Sequence, residues 1–213
     1  LKYLLAAAFM AAPGGLLMAK LLMPDDPADI AKGREKLDME KSEHKNVILA
    51  AASGTTDGLR LAANIGAMLI AFVALIALFN GVVGGICSLY GLEGITLQLI
   101  LGKIFRYLMF LLIIPWAEAE AAGALFGEKL ILNEFVAFSH LNEYLAGMSE
   151  RTVAIVTFSL CGFANLSSIA ILLGGLGVLV PEKRDLIGQL GLRAVLAGSL
   201  SNLMSAALAG LLL

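Results

Sequence analysis

Glu134 is the residue of this sequence best suited to chemistry, because it stands in an apolar stretch where a carboxylate is costly to keep. In a dry pocket an ionised carboxylate accepts hydrogen bonds from two adjacent hydroxyls of a bound molecule, and such charge-assisted bonds are roughly twice as strong as neutral ones. A structural alternative stands beside this one. Lys129 lies five residues earlier, and intramembrane carboxylates commonly pair with a base. Residue type and spacing alone leave ligand contact and ion pair equally open.

A second group of polar side chains interrupts another apolar run, at Asn165, Ser167 and Ser168, with Phe163 beside them. Asn165 and Ser168 are three apart, so on a helix they share a face and present an amide and a hydroxyl to one ligand. Phe163 either stacks on a flat ring or packs in a core. Asn165 has its own plain reading as an interhelical hydrogen bond, worth ~0.6 kcal/mol in membranes. Asn133 and Ser167 read as ties that hold local backbone in shape. Glu118 and Glu120 read as solvated or capping groups, and His44 and His140 as ordinary solvated histidines. Cys87 and Cys161 lie in apolar runs without zinc or redox spacing and read as small apolar filler. No metal triad, nucleotide loop or nucleophile–base pair is apparent, so neither a metal nor an organic cofactor is expected.

The elements that position these groups are membrane helices. Hydrophobic residues make up 59% of the 213 and charged residues only 15%, too few charges to cover a water-facing surface. Charges are absent from long stretches, as between Arg60 and Glu93 and after Arg193, and these are long enough to cross a ~30 Å hydrocarbon layer. A net charge of −2 without a basic face gives no reason to expect nucleic acid as a partner. The expected class is an all-α polytopic membrane protein embedded in a lipid bilayer.

Along the chain, 1–23 reads as a transmembrane helix and 24–58 as a polar cytoplasmic loop. A long transmembrane helix with its following link occupies 59–94. The segment 95–115 is apolar but carries Lys103 and Arg106 on one helical face, which favours a helix lying at the interface with its bases reaching water. Pro115 and Trp116 close it, the tryptophan as an interface anchor. Residues 116–141 carry too many charges for a simple span. Two half-helices of about ten residues, each rising ~15 Å, would reach mid-bilayer and return as a re-entrant hairpin. Irregular backbone at that depth requires protein or a watery cavity around it. Residues 151–180 read as a transmembrane helix broken near Gly162 to Ser168, and 186–213 as a last span whose small residues permit close packing. Basic residues concentrate in the loops at 24–60 and 181–193, which places both in the cytoplasm.

The run Gly127-Glu128-Lys129-Leu130-Ile131-Leu132-Asn133-Glu134-Phe135-Val136-Ala137-Phe138 resembles the G-x-K-x-x-x-N-E-F-V-A-aromatic signature of concentrative nucleoside transporters, with every fixed position filled. The runs 161–168, 61–65 and 68–71 and the Ala12-Pro13 and Ala19-Lys20 pattern resemble the same family. The resemblance implies one half of an inverted-repeat transporter: the second repeat, preceded by the last helix of the first. It further implies a homotrimer in the bacterial inner membrane that imports nucleosides by alternating access. Glu134, Phe163, Asn165 and Ser168 then contact substrate, with Glu134, Asn165 and Ser168 toward the ribose, and Asn133, Lys129 and Ser167 support the hairpin and the site. The coupling ion is sodium or a proton, and its site falls mostly in the missing N-terminal repeat. Rival readings are a membrane enzyme using Glu118, Glu120 and Glu134 as acid and base, and a scaffold subunit that transports nothing.

Overall fold

A computed structural model describes residues 2–24, 46–179 and 181–213, and these fold into helices with no strand among them. In order they are α1 (Lys2–Leu22), α2 (Val47–Leu89), α3 (Leu97–Leu111), α4 (Trp116–Ile131), α5 (Glu134–Tyr144), α6 (Glu150–Leu160), α7 (Leu166–Leu179) and α8 (Arg184–Leu212), with single 3₁₀ turns at Leu145–Gly147 and Pro181–Lys183. By length and composition α1 and α8 are each able to cross a membrane, and the bent pair α3 and α4 counts as a third such element if taken as one. The chain divides into two compact units, 25–78 and the remainder.

Within the first unit, the described part is 46–78, helical from Val47 as the start of α2. The polar loop expected at 24–58 falls outside the described residues over 25–45, whereas from Val47 onward the chain is helical, twelve residues ahead of the expected start at 59. The reason is local. Asn46 accepts from the Leu49 amide at 2.8 Å and caps the helix, and the Thr55 and Thr56 hydroxyls donate to the carbonyls of Ala51 and Ala52 at 2.8 and 3.1 Å. Hydroxyls satisfied one turn back remain compatible with helix, so a cluster that reads as loop by composition is carried inside one.

The core of the larger unit centres on Met109, Ala119, Ala122, Leu125, Phe126, Ile155 and Ala206. α3 turns into α4 through 117° at residues 112–115, where Ile113 takes a positive φ of 67° and Pro115 precedes the first helical residue. The two helices then pack backbone to backbone. A Cβ at Gly123 would stand 2.8 Å from the Arg106 nitrogen and 2.9 Å from the Gly102 oxygen, and one at Gly102 would stand 2.8 Å from the Glu120 oxygen. Phe105 and Phe126 fill the space beside this contact edge to face, with centroids 5.4 Å apart. Thr96 caps α3 by accepting from the Leu99 amide. Arg106 reaches back to Glu120 at 3.2 Å and stacks over Trp116 at 3.9 Å, while Lys103 is exposed.

α8 buries its small and polar side chains, including Ala197, Ser199, Ser201, Asn202, Ser205 and Ala206, against α1, α6 and α7. Its partner α1 approaches closely at Gly14, where a Cβ would meet the Ser201 hydroxyl and the Met204 methyl.

Candidate functional site

The junction of α4 with α5 sets the position of Glu134. α4 stops at Leu132, whose amide donates to the Glu128 carbonyl, and α5 begins at once. Asn133, extended at φ −166° and ψ 168°, caps α5 by accepting from the Val136 amide at 2.9 Å. Glu134 is therefore the first residue of a helix, where unpaired N–H groups favour a negative charge. The tie expected of Asn133 is this cap. Asn133→Ala should cost about 1 kcal/mol of stability, read as a lowered thermal midpoint, because the Val136 amide then loses its partner inside protein.

The interrupted helix supplies the other side. α6 ends at Leu160, residues 161–165 are not helical, and α7 restarts at Leu166. Asn165 organises the restart. Its Oδ1 accepts from the Ser168 amide at 2.8 Å and the Ser167 hydroxyl at 2.7 Å, and its backbone oxygen accepts from the Ser168 hydroxyl at 2.6 Å. Its Nδ2 is left free to cross to the other element, where it donates to Glu134 Oε2 at 2.8 Å. Asn165 is wholly buried and Glu134 partly so. One amide thus shapes the break and joins it to the tip of α4 and α5.

Of the residues expected at the site, Glu134, Asn165, Ser167 and Ser168 come together and Asn133 holds the tip. Ser168 is buried, with its hydroxyl committed to the Asn165 carbonyl. Phe163 is 55% exposed on the break itself, a ring standing free of the core. Lys129 is fully buried, and among the described residues it forms no ion pair with Glu134. Its ammonium lies 5.6 Å over the Phe126 ring and finds its hydrogen bond at Asn202. With the Asn202 amide assigned so that both ends have partners, its oxygen accepts from Lys129 Nζ at 2.8 Å and its nitrogen donates to the Cys161 carbonyl at 3.1 Å. The structural ion pair weighed for Glu134 is therefore not formed, and the carboxylate takes Asn165 instead.

Asn202 is a member of this junction that the sequence reading passed over. It sits on α8 among small residues, and its only signal was an amide in the middle of a span. His140 also departs from expectation. It is not simply solvated, since its Nδ1 lies 3.0 Å from both oxygens of the buried Glu128. At the open end of the two arms, Glu118 accepts from the Ser149 amide at 2.9 Å and its hydroxyl at 3.1 Å, tying α4 to the cap of α6. Among the described residues no group of three or more His, Cys, Asp or Glu could hold a metal ion.

The model of the family described as "Na+ dependent nucleoside transporter C-terminus" matches residues 3–210. An uncharacterized transporter of Bacillus subtilis, YutK, is 53% identical over 99% of this chain and 52% of its own length. The nucleoside permease NupC of Helicobacter pylori is 50% identical over 99% of this chain and 51% of its own. A solved structure of CNTnw in an inward-facing substrate-bound state superposes with a TM-score of 0.86 at 50% identity, over 98% of this chain and 49% of that one. The chain thus spans about half the length of these relatives.

Proposed function

Because the chain belongs to the Na+-dependent nucleoside transporter family, matching its C-terminal part, we propose that it supplies the substrate-closing half of a cation-coupled nucleoside symporter. The observation that carries this reading is the 2.8 Å bond from Asn165 to Glu134, which joins a hairpin tip to a helix break around one carboxylate. In the proposed site Glu134 accepts from the ribose hydroxyls, Asn165 and Ser168 offer polar groups to the same sugar, and the free Phe163 ring covers the base. Asn133, Lys129 and Ser167 hold the geometry.

On this reading α4 and α5 are a re-entrant hairpin, α6 and α7 are the two halves of a broken span, α2 is a scaffold helix and α3 lies at the interface. The protein sits in a bacterial inner membrane as a homotrimer, and a preceding inverted repeat completes each site. The coupling ion is sodium or a proton, held mostly by that repeat. Alternating access then consists of moving the hairpin and the broken span past α2. The bonds that lock the tip to the break keep them in one piece.

The test is uptake. The transporter, with its first repeat present, is placed in proteoliposomes and given labelled uridine or adenosine under an imposed sodium or proton gradient. Accumulation above the outside concentration under one gradient is expected. Recovery of a chemically altered nucleoside would establish the enzyme reading instead, and absence of saturable binding would establish a scaffold.

A further inference from the structure

A polar bridge runs from α4 through α8 to the helix break. Lys129 is fully buried, and among the described residues its ammonium has one hydrogen-bond acceptor, the Asn202 oxygen at 2.8 Å. The same amide donates to the Cys161 carbonyl at 3.1 Å, so one side chain of α8 holds both the last turn of α4 and the end of α6. That amide is confined. It is 4% exposed, and a Cβ at Gly162 would run into it. One turn earlier on α8, Gly198 admits Ala164, since a Cβ at 198 would stand 2.8 Å from the Ala164 Cβ.

Glu134 is left with an oxygen to spare. Its Oε2 accepts from Asn165 Nδ2 at 2.8 Å, and among the described residues Oε1 takes no hydrogen bond. In the proposed site that oxygen is the one open to the ribose hydroxyls. Lys129 stands outside ion-pair distance of it, yet Glu134 is the carboxylate that acts most strongly on this ammonium.

What keeps Lys129 from closing on Glu134 is its other partner. A buried ammonium stripped of its acceptor costs several kcal/mol, so without Asn202 the side chain must turn to another. Two acceptors are then on offer: the Cys161 carbonyl, which the same amide has released, and the Glu134 carboxylate five residues along the chain. A charged acceptor makes a bond roughly twice as strong as a neutral one, so the carboxylate wins. An ion pair formed there would occupy the oxygen that the sugar needs and offset the charge that draws its hydroxyls.

We propose that Asn202 is a positioning residue for substrate: it holds the Lys129 ammonium off Glu134 and so keeps the carboxylate open to the ribose. It touches no substrate itself and acts through Lys129. This inference rests on the transport reading, since it takes Glu134 to bind the sugar. Its signature is selectivity. An ion pair at Glu134 competes with a ligand that carries two adjacent ring hydroxyls and leaves one without them little affected.

The experiment measures Kd for uridine and for dideoxyuridine, which lacks those two hydroxyls, on the purified transporter with its first repeat present. The unmodified protein should prefer uridine by at least about ten-fold, the weaker end of hydrogen bonding to a charged acceptor. Asn202→Leu should lose most of that preference through weaker uridine binding, while dideoxyuridine binding stays within about three-fold. Adding Lys129→Met, which keeps most of the side chain's length and removes the cation, should recover at least about three-fold of the preference. Equal weakening of both ligands in Asn202→Leu, an intact preference there, or no recovery in the double variant overturns the inference and leaves the transport reading standing. If Asn202→Leu yields no folded protein, the double variant decides alone, since it has neither the amide nor the competing ammonium: a kept preference supports the inference and a lost one overturns it. No preference for uridine in the unmodified protein, or no binding at all, overturns the sugar contact of Glu134 and this inference with it.

Discussion

Glu134→Gln should weaken nucleoside binding by about 30- to 150-fold, with uptake falling in step. Hydrogen bonds to a charged acceptor contribute about 1.5–3 kcal/mol, and the amide keeps one neutral oxygen where the carboxylate offered two charged ones. A net loss of about 2–3 kcal/mol corresponds to that range of Kd. The substitution is selective because Gln retains an oxygen able to accept from Asn165 Nδ2, the bond that now measures 2.8 Å. The junction of hairpin and break therefore survives, and the thermal midpoint should hold. Equilibrium binding of uridine and adenosine beside a melting curve separates the two effects. Unchanged affinity would remove Glu134 from the sugar, and lost affinity with lost stability would make it a structural residue.

Gly123→Leu should do the opposite, with large damage to the fold and no direct contact with substrate. The atoms that a side chain at 123 would meet are backbone atoms of α3, at 2.8 and 2.9 Å, which cannot rotate away as a flexible side chain would. Overpacking a dense interface costs about 1–3 kcal/mol, and an obstacle made of backbone sets the cost at the upper end. The loss should appear as a lower yield of monodisperse protein and a lower unfolding temperature. Full stability in Gly123→Leu would mean that α3 and α4 do not pack as described.

These two positions differ in how far the sequence revealed them. Glu134 stood out as a candidate because a charge is conspicuous in an apolar run and because the signature 127–138 fills a known pattern. The break between α4 and α5, the cap at Asn133 and the interruption near Asn165 were legible for related reasons. Each depends on residues within a few positions of one another. Gly123 carries no comparable mark, since its importance lies in a helix that crosses it from another part of the chain. The same holds for Asn202, which meets Lys129 across 73 residues, and for His140, whose partner Glu128 is set by the register of two arms and not by sequence spacing. The start of α2 was hidden differently. Threonines and glycines read as loop by composition, and only the bonds from Thr55 and Thr56 back to the preceding turn show why the helix accepts them.

The corner between α3 and α4 has an optical consequence. Trp116 is the only tryptophan of the chain, and it sits at that corner beneath the Arg106 guanidinium with the Tyr107 and Phe110 rings each 5.5 Å away. A cation over an indole face and two edge-on rings make a strongly asymmetric surrounding for one chromophore. Tryptophan fluorescence from this chain therefore reports a single place, the bend between α3 and α4. Any change in the angle between them, or in the Arg106 to Glu120 bond that braces it, registers as a shift in that one emission.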